Sequence, residues 1–244
     1  MEMNTKKIIH KEVYRGSELE KIQENNIESI NSSYRNLDLE LPHGSWPKSC
    51  LIEILSKEES VSEIILLLPT LKKIVANNKY IVMLSPPHIP YIPTFQSFGI
   101  KEKFILVVNT NRVMEKLWVI EHSIRCNLFG GLLVWIKEPC TFEKLRKVQT
   151  LAKRSNGLNF IFRPLEAKKN PSPSPLRMTI CSDKYPLLKM NIIKRRGPTK
   201  LTPITIDTST IFSKKNTSKL KPNYDLDCIP PRNRGRNNIL KKNT

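Results

Sequence analysis

The chain has 244 residues, 39% of them hydrophobic, with eighteen prolines against eight glycines. That length accommodates one domain of ordinary size plus loose chain, or two small domains. No run of eighteen apolar residues occurs, which excludes a membrane-spanning helix, and 41 Lys and Arg against 22 Asp and Glu leave a net charge of +19, a balance that attracts polyanions.

The charge is unevenly placed. Residues 1–36 are neutral, residues 37–198 carry +12 and residues 199–244 carry +7. Part of the excess is a lysine-rich composition, 28 Lys to 13 Arg, of the kind an AT-rich genome produces. The first eighteen residues hold no apolar stretch of signal-peptide length, so the cytoplasm is the expected compartment. The cysteines (Cys50, Cys126, Cys140, Cys181, Cys228) form no C-x-x-C, and the histidines (His10, His43, His88, His122) form no H-E-x-x-H. Neither a zinc site nor a disulfide frame is supported, and no cofactor is expected.

Residues 1–36 read as a charged helical arm, with Leu19, Ile22, Ile27 and Ile30 too sparse to form a core of their own. LDLELPHGSW (37–46) is a lead-in punctuated by Pro42, Gly44 and Pro47. LIEIL (51–55) is a strand, and SEIILLLPTLKKIVANN (62–78) a helix with Ser62 as N-cap and a kink at Pro69. YIVML (80–84) is a second strand, followed by the Pro-rich SPPHIPYIPTF (85–95) and a short helical turn. FILVV (104–108) is a third strand. NRVMEKLWVIEHSIRC (111–126) places Val113, Leu117, Ile120 and Ile124 on one helical face.

Gly130 and Gly131 lead into LLVWI (132–136), a fourth strand. TFEKLRKVQTLAKRSN (141–156) is a basic helix with Leu145, Val148, Leu151 and Ala152 facing inward, and LNFIF (158–162) a fifth strand. SPLRMTICS and LLKMNIIKRR then form a hairpin about a turn at 183–186. Strands alternating with helices predict an α/β domain, a mostly parallel sheet with helices on both faces and a C-terminal antiparallel hairpin. Its expected span is residues 37–198. Residues 199–244, polar and rich in Pro and Lys, read as a basic disordered tail.

A phosphate-binding loop would fall between the first strand and the first long helix, where the chain reads SKEESVS (56–62). That segment has no glycine to present backbone N–H groups, and Glu58 and Glu59 would repel phosphate. Lys57 lacks its loop. No base follows the second strand except His88, read as fixing a Pro-rich loop. Glu138, past the fourth strand, reads as a solvated charge. No catalytic constellation can be assembled, and the domain is expected to be non-catalytic.

The basic features are the candidate binding residues. Lys194, Arg195 and Arg196 stand in succession at a strand end, suited to phosphate or to capping an edge strand. In the tail, Arg232, Arg234 and Arg236 alternate with small polar residues, suited to nucleic acid or an acidic partner. YDLDCIPP (224–231) is an acidic-apolar island that reads as linker or docking peptide.

Taken in order, LDLELPHGSWPKSCLIEIL, SEIILLLPTLKKI, MLSPPHIPYIPTFQSFGI, LWVIEHSIRCNLFGGLLVWI, LAKRSNGLNFIFRP and LKMNIIKRRGP resemble the ImuA family of translesion-synthesis accessory proteins, a branch of the RecA/SulA-like group. VYRG (13–16) is similar to the arm motif before that family's core. The resemblance covers roughly residues 12–198 and implies a RecA-like core with a degenerate P-loop. In an active recombinase SKEESVS would be a Walker A loop, the catalytic Glu would fall at Pro87, the Walker B Asp near Trp135 and a nucleotide-reporting Gln near Arg163. All have departed. Lys194 and Arg196 are similar in position to lysines used across the recombinase subunit interface, and Arg163 joins the candidate binding residues on the same ground.

The family implies action in the bacterial DNA-damage (SOS) response, associated with the nucleoid. The implied partners are an inactive Y-family-like polymerase homologue, ImuB, and an error-prone replicative-type polymerase, with DNA, RecA and self-association as further contacts. The rival resemblance is a SulA-like division inhibitor, which binds FtsZ and shares the shorter core from LLLP to NFIFRP. The YRG arm, the LDLELPHGSWP lead-in and NIIKRRGP go beyond that shorter pattern.

Overall fold

The computed structural model describes residues 30–57, 62–126, 129–182, 186–197 and 202–212. Eight strands form one sheet in the order β3-β2-β4-β5-β1-β6-β7-β8. They are β1 (Leu51–Ser56), β2 (Tyr80–Leu84), β3 (Ile105–Val108), β4 (Phe129–Trp135), β5 (Leu158–Pro164), β6 (Leu176–Ser182), β7 (Leu187–Lys194) and β8 (Ile204–Asp207). The first six pair in parallel, and β6–β7 and β7–β8 are antiparallel. The helices are α1 (Arg35–Asp38), α2 (Ser62–Ala76), α3 (Ile92–Ser97), α4 (Val113–Cys126), α5 (Phe142–Ala152) and α6 (Ser209–Phe212).

A parallel strand needs apolar residues on both faces, and β1 alternates between two cores. Ile52 and Ile54 join Leu66, Leu67, Leu71 and Ile74 of α2 on one side. Leu51 joins Ile120 and Ile124 of α4 and Leu145 and Val148 of α5 on the other. The antiparallel end covers one face only. Leu188, Met190 and Ile192 are buried, whereas Lys189 and Asn191 between them are exposed.

The lead-in is part of this core. Leu37, Leu41 and Trp46 are buried; the Trp46 indole N–H donates to Thr70 Oγ1 at 3.0 Å and its ring meets Phe160 edge-on at 5.2 Å. Gly44 turns the chain there at φ +69°, a conformation open to glycine without a Cβ clash. Gly130 serves proximity instead, since a Cβ there would lie 2.5 Å from Ile74 Cγ2. The small residue lets α2 sit close to β4.

Helix α2 runs through Pro69 as one element. Proline has no N–H to give the carbonyl four residues earlier, which is that of Ile65. The Tyr34 hydroxyl reaches this oxygen at 3.4 Å. Tyr34 thus belongs to the fold, as does Ile30, which bridges to Trp46, although both fall in the segment read as an arm. Residues 1–29 lie outside the described residues.

The C-terminal boundary also moves. Residues 204–207, read as tail, form β8, with Ile206 buried opposite Leu188 and Thr205 O accepting from Asn36 Nδ2 at 3.3 Å. The pattern behind it is two isoleucines in a threonine-rich stretch, too short to register as a strand. Residues 213–244 lie outside the described residues. Ile206→Ala is expected to cost about 2–5 kcal/mol, the range for truncating a buried aliphatic side chain. Urea unfolding measures it, and a cost near zero returns residues 204–207 to the tail.

Candidate functional site

In a parallel α/β sheet the ligand crevice lies at the carboxyl ends of the strands. Here the ends of β1, β4 and β5 bound a pocket of about 130 Å³ lined by Ser56, Lys57, Glu63, Trp135, Lys137 and Arg163, among others. Its volume falls below the roughly 300–1,000 Å³ of ordinary small-molecule sites. Glu63, in the first turn of α2, is buried against it. Its carboxylate accepts hydrogen bonds from the Ser56 hydroxyl and from Trp135 Nε1, the latter at 3.2 Å. Trp135 is held by stacking on Phe162, centroids 4.6 Å apart.

A helix N-terminus favours an anion through its unpaired N–H groups and its dipole. The chain meets that preference with its own carboxylate. A phosphate entering there would have to displace Glu63 and then face its charge. Glu58 and Glu59 lie outside the described residues. Pro87 and the exposed His88 lie in the loop after β2, and Trp135 ends β4 in the places described above.

Arg163 does not face outward. It is buried at the end of β5 and its Nη1 lies 2.7 Å from Glu53 Oε1, with Nη2 donating to Cys140 O at 3.5 Å. Arg177, on β6 directly opposite Glu53, places Nε 2.6 Å from Glu53 Oε2 and donates from Nη2 to Ala167 O at 3.0 Å. Glu53 is 0% exposed at the centre of the sheet. One carboxylate therefore bridges two guanidinium groups across β5, β1 and β6, and Arg163 Nε has no partner among the described residues. Cys140 beside it has its thiol pKa raised by burial, with the Arg163 charge pulling the other way.

The sequence carries a signal for this triad. LIEIL, LNFIFRP and LRMTICS each contain one charge in an otherwise uncharged and largely apolar strand, and the signs are complementary. A buried charge persists only if paired, so three such charges imply each other.

Glu138, expected to be a solvated charge, is partly exposed but is also held in an ion pair. Both its carboxylate oxygens accept from Lys116 Nζ, at 3.0 and 3.1 Å. Lys116 is buried on α4 and also donates to Trp135 O at 3.2 Å. Burial acts to raise the Glu138 pKa, but its own backbone N–H and the Lys116 ammonium outweigh that and hold it below the usual carboxylate range.

The basic run divides into three different environments. Lys194 Nζ donates to Ser172 O at 2.8 Å. Arg195 is half-buried and places Nη1 3.0 Å from Glu40 Oε2 while donating to the Glu40 carbonyl. Arg196 is exposed, and its charge lies near Cys50, whose thiol burial pushes up to about 12 against the pull of Arg196. Arg232, Arg234 and Arg236 lie outside the described residues. The structure thus ties Lys194 to the Ser172 carbonyl, leaves Arg196 exposed, assigns Arg195 to the lead-in and buries Arg163.

No family model matches the chain, and no curated protein matches it.

Two outcomes follow from these geometries. Glu53→Gln leaves two buried arginines facing one another and is expected to cost about 3–5 kcal/mol, whereas replacing all three residues by apolar side chains of similar volume is expected to be far milder. Urea unfolding of both variants decides between a triad that specifies the sheet and a solvated cluster. The Glu138 pKa is lower folded than unfolded, so its contribution is present above the unfolded value and is lost as pH falls through the folded one. Glu138→Gln should therefore lower stability at pH 6 and flatten its acid dependence below about pH 4.5; parallel titration curves would dismiss the ion pair.

Proposed function

We propose that this chain is a non-catalytic adaptor of the bacterial SOS response, similar to the ImuA family, that joins an ImuB-type inactive polymerase homologue and an error-prone replicative-type polymerase near DNA. The ordered resemblance across residues 12–198 supplies the family. The observation that carries the loss of ATPase function is Glu63, whose buried carboxylate occupies the head of α2 where a RecA-like enzyme would bind phosphate. The small pocket behind it supports the same reading.

Two segments favour this reading over a SulA-like division inhibitor. LDLELPHGSWP supplies Leu37, Leu41 and Trp46 to the core, and the NIIK of NIIKRRGP ends β7, which pairs with β6 and β8. Both lie beyond the shorter shared pattern. DNA contact is assigned to Arg196 first, because Arg195 is engaged by Glu40.

The deciding measurement is a tagged pull-down from damage-treated cells with mass spectrometric identification. Co-purification of an inactive Y-family-like polymerase homologue is the expected result, and recovery of FtsZ in its place would transfer the chain to the division inhibitors. Arg196→Ala is expected to weaken DNA binding several-fold and to lower the slope of log K against log salt by about 1. An unaltered slope in a normally folded variant removes Arg196 from the DNA surface.

A further inference from the structure

Helix α4 carries an exposed stripe at four-residue spacing: Met114, Trp118, His122 and Cys126. Met114 is 67% exposed and Trp118 65%. The His122 imidazole lies flat on the Trp118 indole, centroids 5.3 Å apart and planes within 5°. Its other neighbour is Cys126, whose Sγ lies 3.7 Å from His122 Nε2.

That separation has a chemical meaning. An imidazole nitrogen and a thiolate sulfur bound to one tetrahedral zinc, at about 2.1 and 2.3 Å, lie roughly 3.6 Å from one another. His122 and Cys126 already stand at chelating distance, and stacking on Trp118 holds the imidazole plane. Two ligands leave half of a tetrahedral shell open. Among the described residues no group of three or more His, Cys, Asp or Glu is placed to hold a metal.

The surroundings indicate what fills the open half. Arg112 pairs with Glu115 and Arg125 with Glu121 along the same helix, so this face is locally balanced in a chain of net charge +19. The paired charges let a second copy approach this face without a local excess of like charge, and doing so would cover Met114 and Trp118. We propose that His122 and Cys126 chelate a thiophilic divalent cation of the zinc class, and that the same pair from a second copy completes a two-sulfur, two-nitrogen shell. On binding, each Cys126 S–H releases its proton to solvent and each neutral imidazole donates a ring-nitrogen lone pair. No electron transfer is involved. A His-x-x-x-Cys pair is too short a pattern to stand out in a sequence of this length.

Cobalt(II), added to the full-length chain under reducing conditions, is the probe. The expected result is a thiolate-to-metal absorption band saturating at one cobalt per two chains, with a doubling of mass by light scattering. Both should be lost in Cys126→Ser and in His122→Ala, exposed positions whose variants can be checked for unchanged thermal unfolding. Both should persist in Cys181→Ser, which removes the other exposed thiol among the described residues. Absence of the band, its survival in Cys126→Ser, or a band without a change in mass would each overturn the proposal.

Discussion

The central constraint on this structure is a single carboxylate with no access to water. Glu53 sits in β1, between β5 and β6 of the mixed sheet, and its two oxygens are taken by guanidinium groups from those two strands. A carboxylate in that position is tolerable only while both partners are present. The triad therefore ties β5, β1 and β6 at one register, at the junction between the strands covered by α4 and α5 and the antiparallel end. It also explains why Arg163 cannot serve as a surface cation: withdrawing it would leave Glu53 with one partner.

The crevice at the strand ends follows a related principle. A helix N-terminus over a parallel sheet is electrostatically suited to an anion. In this chain Glu63 meets that demand from within, supported by Ser56 and Trp135. The proposed loss of nucleotide binding draws support from this carboxylate, since a helix N-terminus already supplied with an anion gains less from a bound phosphate. Exposed groups of the described residues lie elsewhere: Arg196 just past β7, and Met114 and Trp118 on the outer face of α4.

Much of the architecture was legible in the chain. The limits of β2 are those of the YIVML run, and the five parallel-strand runs, the long helices and the β6–β7 hairpin all lie where periodicity places them. What escaped was of three kinds. Strand β8 has only Ile204 and Ile206 to announce it. Tyr34 and Ile30 lie in a polar context yet pack on α2 and Trp46. Lys116 stands on a helix face that otherwise buries Ile120 and Ile124, and its burial becomes sensible only once Glu138 and the Trp135 carbonyl are brought to it.

The sequence by itself determined the class of fold, because apolar runs of strand length alternating with helix-period stretches can bury their surface in few other ways. It also shows that SKEESVS, between the first strand and the first long helix, holds no glycine, which is a matter of residue type alone. Only the tertiary structure decided which charges are available. Lys116, Arg163, Arg177 and Arg195 are drawn into ion pairs with Glu138, Glu53 and Glu40, whereas Arg196 stays exposed. The physical reason is that an ionic partner is chosen by proximity across strands that may be more than a hundred residues apart, and neither net charge nor local pattern records that distance.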